Sequence, residues 1–125
     1  MKTVTGILID TVNKKESIHI LNSDTLQGYY EALDCNTFDI ATRKIGSKYY
    51  EIFCDDEGLF KDSPIVSAIS LNGEPMLVGN LFITRTNKEG ETISLTQGEI
   101  NEIESNIIYL GDQNKNVWPA ILCDY

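Results

Sequence analysis

The longest strand signal in the pattern of apolar and polar positions lies between Met76 and Thr86, a run of apolar and β-branched residues opened by Pro75. A proline is tolerated where a strand begins, because the first residue need not donate to the ladder, so the run predicts a strand. Its two parities differ. Leu77, Gly79, Leu81 and Ile83 point one way and read as core, whereas Val78, Asn80, Phe82 and Thr84 point the other way. That second set reads as a partly covered face or as a ligand platform. Asn87-Lys88-Glu89-Gly90 supplies a short loop ending on glycine, where a positive φ is cheap, and Glu91–Ser94 returns as the partner strand of a hairpin. Thr96 and Glu99 have the spacing of a capping box. Ile100, Ile103, Ile107 and Leu110 then form one apolar stripe, predicting a helix closed by Gly111 with Glu99, Glu102 and Glu104 off the stripe.

The same reading applied upstream gives further hairpins. Thr3–Asp10 sets Val4 and Leu8 against Ile7 and Ile9, Asn13-Lys14-Lys15 turns the chain, and Ser17–Leu21 returns. Asp24 is a candidate cap for a short helix with Leu26, Tyr29, Tyr30 and Leu33 on one face. Thr37–Ile45 and Lys48–Cys54 make the next hairpin around Gly46-Ser47, and the return strand carries aromatics on both faces, which suits a central position. Leu59–Leu71, broken by Pro64, reads as loop plus a short element. Val117–Cys123 is a last strand whose Pro119 predicts an edge or a bulge, and Trp118 is either a lid on the sheet or a contact residue at an exposed edge. The expected fold class is therefore α+β: one domain over residues 1–125, a mostly antiparallel sheet built from β-hairpins with two short amphipathic helices packed on it.

Charge changes the picture most. Nineteen acidic residues against ten basic ones give a formal charge of −9, which repels phosphate backbones and argues against direct nucleic-acid binding. No apolar run is long enough to span a bilayer, and the stretch MKTVTGILIDTV lacks a signal-peptide pattern, so a cytoplasmic protein without membrane contact is expected. Cys35, Cys54 and Cys123 are widely spaced and form no C-x-x-C, which predicts ordinary thiols and no metal site. Asp55-Asp56-Glu57-Gly58 lacks the ligand spacing of a calcium loop and reads as an acidic turn. Nucleophile-elbow, phosphate-loop, dinucleotide and zinc-protease motifs are absent, and the single histidine, His19, has no evident partner. A binding protein without catalytic residues or cofactor is the expectation.

Two segments, CNTFDIATRKIGSKYYEIFCDDEGLFKD (35–62) and NGEPMLVGNLFITRTNKEGETISLTQGEI (72–100), resemble an uncharacterised family known as a domain of unknown function and found in phage and plasmid genomes. The DDEG turn, the P-x-L-V-G-N strand entry, the EGE hairpin and the SLT helix start carry the resemblance. It implies a genomic setting and no mechanism. In that setting the leading expectation is a counter-defence protein, homo-oligomeric, that sequesters a small nucleotide-like signal. Its candidate site joins Asn80, Phe82 and Thr84 to Arg43 and Arg85: an aromatic face to stack a base, an amide to read its edge, arginines to pair phosphate. The alternative is an acidic inhibitor of a host defence or restriction complex, docking through Asp55, Asp56, Glu57, Glu99 and Glu102. A phage replication accessory protein is a further alternative.

Overall fold

The computed structural model describes residues 2–22, 25–58 and 64–125. The expected cap Asp24 and the first residues of the ambiguous 59–71 stretch lie outside them. The N-terminal hairpin is β1 (Thr3–Asp10) and β2 (Lys15–Asn22), followed by helix α1 (Gln27–Leu33). A second hairpin, β3 (Phe38–Ile45) and β4 (Lys48–Asp55), precedes the short strands β5 (Val66–Ile69) and β6 (Pro75–Val78). The chain ends with β7 (Leu81–Thr86), β8 (Thr92–Ile93), α2 (Gln97–Glu104), β9 (Ile107–Gly111) and β10 (Val117–Leu122). The strands form two sheets. The larger runs β2-β1-β7-β4-β3 with β8 on the end of β7, and the smaller runs β6-β5-β10-β9. All pairings are antiparallel except β5 with β10. The α+β class expected from the hairpins and helices holds.

Alternation along each strand sorts the side chains into two cores. Ile7, Ile9, Ile52, Leu81 and Ile83 face the smaller sheet and α2, meeting Ala68, Ile121, Ile100 and Ile103. Val4, Leu8, Phe53 and Phe82 face the other way, onto Tyr29 and Leu33 of α1. There the Tyr29 ring lies 4.7 Å from Phe53 and meets Phe82 edge-on at 6.3 Å, geometry that adds to the simple burial of the rings.

The predicted 76–86 strand is two strands in different sheets. At Gly79 the backbone takes φ +79°, which glycine accepts without a Cβ clash, and its N–H donates to the Ile65 carbonyl at 2.8 Å. Before that turn β6 pairs with β5; after it β7 pairs with β1 and β4. Asn80 fixes the crossing. Its Oδ1 accepts from the Thr11 N–H at 2.8 Å and the Thr11 hydroxyl at 3.0 Å, and its Nδ2 donates to the Ala32 carbonyl at 3.1 Å.

The second helix is also shorter than its apolar stripe predicts. The capping box forms, with the Thr96 N–H donating to Glu99 at 2.8 Å and the Glu99 N–H to Thr96 at 3.2 Å. The helix nevertheless stops at Glu104, and Ile107–Gly111 pairs with β10 instead. Ile107, Ile108 and Tyr109 are β-branched or aromatic, and the sheet offers them packing that a further helical turn does not. Pro119 sits on an interior strand, not an edge: β9 flanks it, and β5 joins β10 two residues later, at Ile121.

Close approach of β1 and β7 depends on Gly6. A Cβ there would lie 2.4 Å from the Ile83 carbonyl oxygen and 2.8 Å from the Phe82 ring. Gly6→Ala is expected to destabilise the protein by about 1–3 kcal/mol, the usual cost of overpacking, read as a lower urea midpoint at unchanged slope.

Candidate functional site

The five residues expected to form a ligand platform do not meet at the surface. Phe82 and Thr84 are fully buried, and Asn80 is 6% exposed with its amide engaged by Thr11 and Ala32. The reason is the position of β7. It is central, α1 covers the face that carries Phe82, and neither face of the strand is left open. Arg85 is occupied as well: its Nε donates to the Ser94 carbonyl at 3.0 Å and its guanidinium forms an ion pair with the Glu99 carboxylate, also at 3.0 Å. Arg43 lies on the edge strand β3, with its guanidinium 4.8 Å from the centre of the Tyr125 ring.

The alternative acidic docking set is also largely internal. Glu99 is buried, and its carboxylate caps α2 while pairing Arg85 and, at 3.6 Å, Lys48. Burial alone would raise the Glu99 pKa, but the Thr96 hydrogen bonds, Arg85 and Lys48 outweigh it and hold the carboxyl below its ordinary value. Glu102 accepts from the Tyr50 hydroxyl at 2.7 Å and from the Ser47 N–H at 3.1 Å, so it ties α2 to the β3–β4 turn. Its pKa is lowered by the Ser47 and Tyr50 hydrogen bonds. Asp55 is buried at the end of β4, with one oxygen accepting from the Glu57 N–H at 2.9 Å. Asp56 and Glu57 remain exposed.

None of the five predicted residues lines the recess where an aromatic, an amide and a cation do meet. A cleft of about 470 Å³ opens where the β1–β2 turn, the β9–β10 turn and the segment entering β5 converge. Trp118 forms one wall. Its ring is half-buried and its indole N–H donates to the Val66 carbonyl at 2.8 Å, which fixes the ring plane. Lys14, at φ +59° in the turn, donates to the Asn116 Oδ1 at 2.7 Å, and the Asn116 amide donates to Asp112 at 3.0 Å. Asp112 in turn accepts from the Asn114 and Asn116 N–H groups at 2.9 and 3.0 Å, which closes the β9–β10 turn on itself where it lines the cleft. The Asn116 side chain and backbone hold the Asp112 carboxyl below its ordinary pKa. An aromatic wall, a cation and an amide thus share one recess. Lys14 and Asn116 are 102 residues apart in sequence, so no local spacing announced the pair.

A wider recess of about 660 Å³ beside α1 has a different character, with Glu31, Asp34, Asp55 and Glu57 on its walls. Cys54 and Cys123 are buried thiols pushed up to about 11 by desolvation, which suppresses the nucleophilic thiolate. His19, on the edge strand β2, is half-buried and edge-on to Phe82 at 6.1 Å. Among the described residues no cluster of His, Cys, Asp and Glu is arranged to hold a metal ion, and no helix is long and apolar enough to cross a membrane.

A family model described as a domain of unknown function, DUF3846, matches residues 3–108. The chain belongs to this family. The DUF3846 match begins with β1 and ends inside β9, so it includes Thr11 and Lys14 of the cleft and stops short of Asp112, Asn116 and Trp118. Searches of curated proteins and of solved structures return no match.

The ion pairs at Glu99 carry a pH signature. A depressed carboxyl contributes stability that is present above its unfolded value, 4.5, and is lost as pH falls through the folded one. Glu99→Gln is expected to lower stability at neutral pH and to flatten the loss of stability below pH 4.5, measured by urea unfolding across an acid pH series.

Proposed function

We propose that this DUF3846 protein is a non-catalytic binding protein that holds a small planar, anionic, nucleotide-like ligand against Trp118. The observation that carries the reading is the cleft itself: an indole held in a fixed plane, with Lys14 and Asn116 joined at 2.7 Å beside it. Stacking on the indole suits a base and the ammonium suits a phosphate, while the Asn116 amide, bonded to both Lys14 and Asp112, holds the ammonium in place. Its volume, about 470 Å³, falls within the usual range for small-molecule sites. The chain's charge of −9 favours a compact ligand with few phosphates over a nucleic-acid strand. Capture without turnover fits an accessory, counter-defence role, the leading expectation for a protein in a phage or plasmid setting, in which the protein lowers the free concentration of a signal.

A second reading has its own observation. The recess beside α1 places Glu31, Asp34 and Glu57 on an exposed surface, which suits docking of a basic protein, as in an inhibitor of a host complex. Binding of that kind would weaken steeply with salt.

Trp118 is the chain's single tryptophan, so its emission reports the site directly. Titration with nucleoside monophosphates and cyclic dinucleotides is expected to give saturable quenching with at least one of them. In calorimetry Trp118→Leu should abolish the binding, and Lys14→Ala should weaken it about tenfold or more, as expected on loss of a charge-assisted contact. No saturable change with any member of the panel overturns the reading.

A further inference from the structure

Among the described residues, the outer edge of β2 has no strand partner, and α1 approaches it only at its end, where Gly28 lies against the Asn22 backbone. On β3, Lys44 and Asp124 exchange backbone hydrogen bonds of 2.8 and 2.9 Å, the Ile40 N–H donates to the Asp39 side chain at 2.8 Å and the Thr42 carbonyl accepts from Arg43 at 2.9 Å, so three positions of that edge are engaged. On the smaller sheet, β6 begins with Pro75 and shifts register against β5, while β9 is five residues long. By contrast β2 is eight residues long, contains no proline or glycine, and pairs with β1 in unbroken register from Thr3↔Asn22 to Asp10↔Lys15. An edge of this kind is a template for another strand.

Backbone geometry shows which groups that edge presents. The Thr5 N–H donates to the Ser94 hydroxyl and the Thr5 carbonyl accepts from Leu95, both at 2.9 Å, so the polar groups of Thr5 point away from β2. Antiparallel alternation then turns Val4, Gly6, Leu8 and Asp10 toward β2, where they face Leu21, His19, Ser17 and Lys15. The outward-facing backbone groups of β2 therefore belong to Glu16, Ile18, Ile20 and Asn22. Among the described residues, no hydrogen bond engages those of Glu16, Ile18 or Ile20. The Ile18 and Ile20 side chains are 54% and 64% exposed, unusual for isoleucine on a regular strand.

We infer that β2 is a self-association edge and that its partner is β2 of a second copy of this chain, paired antiparallel about a two-fold axis at His19. Outward groups must meet outward groups, which limits the register to those joining even-numbered residues. With His19 opposite its counterpart, Ile18 faces Ile20 of the second copy on both sides of the axis, and Glu16 faces Asn22. All four isoleucines then share one sheet face and cover one another. Moving the axis to Ile18 sets Glu16 against Ile20, and moving it to Ile20 sets Ile18 against Asn22. The His19 register alone matches apolar with apolar and polar with polar. The two larger sheets become one continuous sheet, through an isologous contact that closes at two copies.

Sedimentation velocity over a wide range of protein concentration tests this. The expected result is a reversible monomer–dimer equilibrium, abolished by Ile20→Lys and also by Ile18→Pro. The proline removes an N–H that points outward and spares the β1 ladder; circular dichroism confirms that both variants fold. Register is tested by disulfide formation in a Cys35→Ser background, where His19→Cys should cross-link on mild oxidation and Ile18→Cys should not. A monomer at every concentration, or a dimer unaffected by both edge substitutions, overturns the proposal. Efficient cross-linking through position 18 in place of 19 overturns the register.

Discussion

Strand β7 is dry on both faces, and the rest of the structure follows from that constraint. One face needs a second sheet and α2 to cover Leu81 and Ile83; the other needs α1 to cover Phe82. A strand buried on both sides also cannot leave polar groups unmatched without cost. Asn80 is therefore held by Thr11 and Ala32, and Arg85 by Glu99 and the Ser94 carbonyl. Asn80 and Arg85 thus serve as internal struts that join this stretch to different layers, whereas among the described residues the buried Thr84 hydroxyl has no hydrogen-bond partner.

The same logic explains how much of the fold was legible in the sequence. Period-two alternation located both long hairpins, and the Thr96–Glu99 spacing located the start of α2, because those signals are local. The change of sheet at Gly79 was hidden, since a glycine inside an alternating run is equally compatible with an uninterrupted strand. The stripe Ile100, Ile103, Ile107 and Leu110 overran the helix because three residues of it pack in the same core whether or not the helix continues, and Ile107 reaches that core from β9. The candidate platform failed for a related reason. An amide and a hydroxyl beside an aromatic look exposed in sequence, but the partners that let Asn80 be buried lie 69 and 48 residues away.

Acidity was read as a property of the surface, and part of it is architectural. Glu99 and Glu102 bind α2 to β4 and β7 through Lys48, Arg85, Tyr50 and Ser47, so two of the carboxylates that suggested a docking face fasten a helix to the sheet. What remains outside is uneven. The recess beside α1 is walled by carboxylates, while the cleft at Trp118 balances Lys14 against Asp112. The proposed anionic ligand is assigned to that second place, away from the β7 residues that the sequence alone suggests.

The parallel pairing of β5 with β10 has a consequence for how the chain acquires its structure. β10 lies between β5 and β9, so the smaller sheet has no centre until the last strand is available. The Ile121↔Ala68 and Leu122↔Ile69 contacts close loops of more than fifty residues, and that loss of chain entropy precedes most of the burial it permits. The β1–β2 and β3–β4 hairpins can form early from local contacts. On loop-closure grounds the layer that seals Leu81 and Ile83 is expected to form after those hairpins, leaving one face of β7 wet until it does.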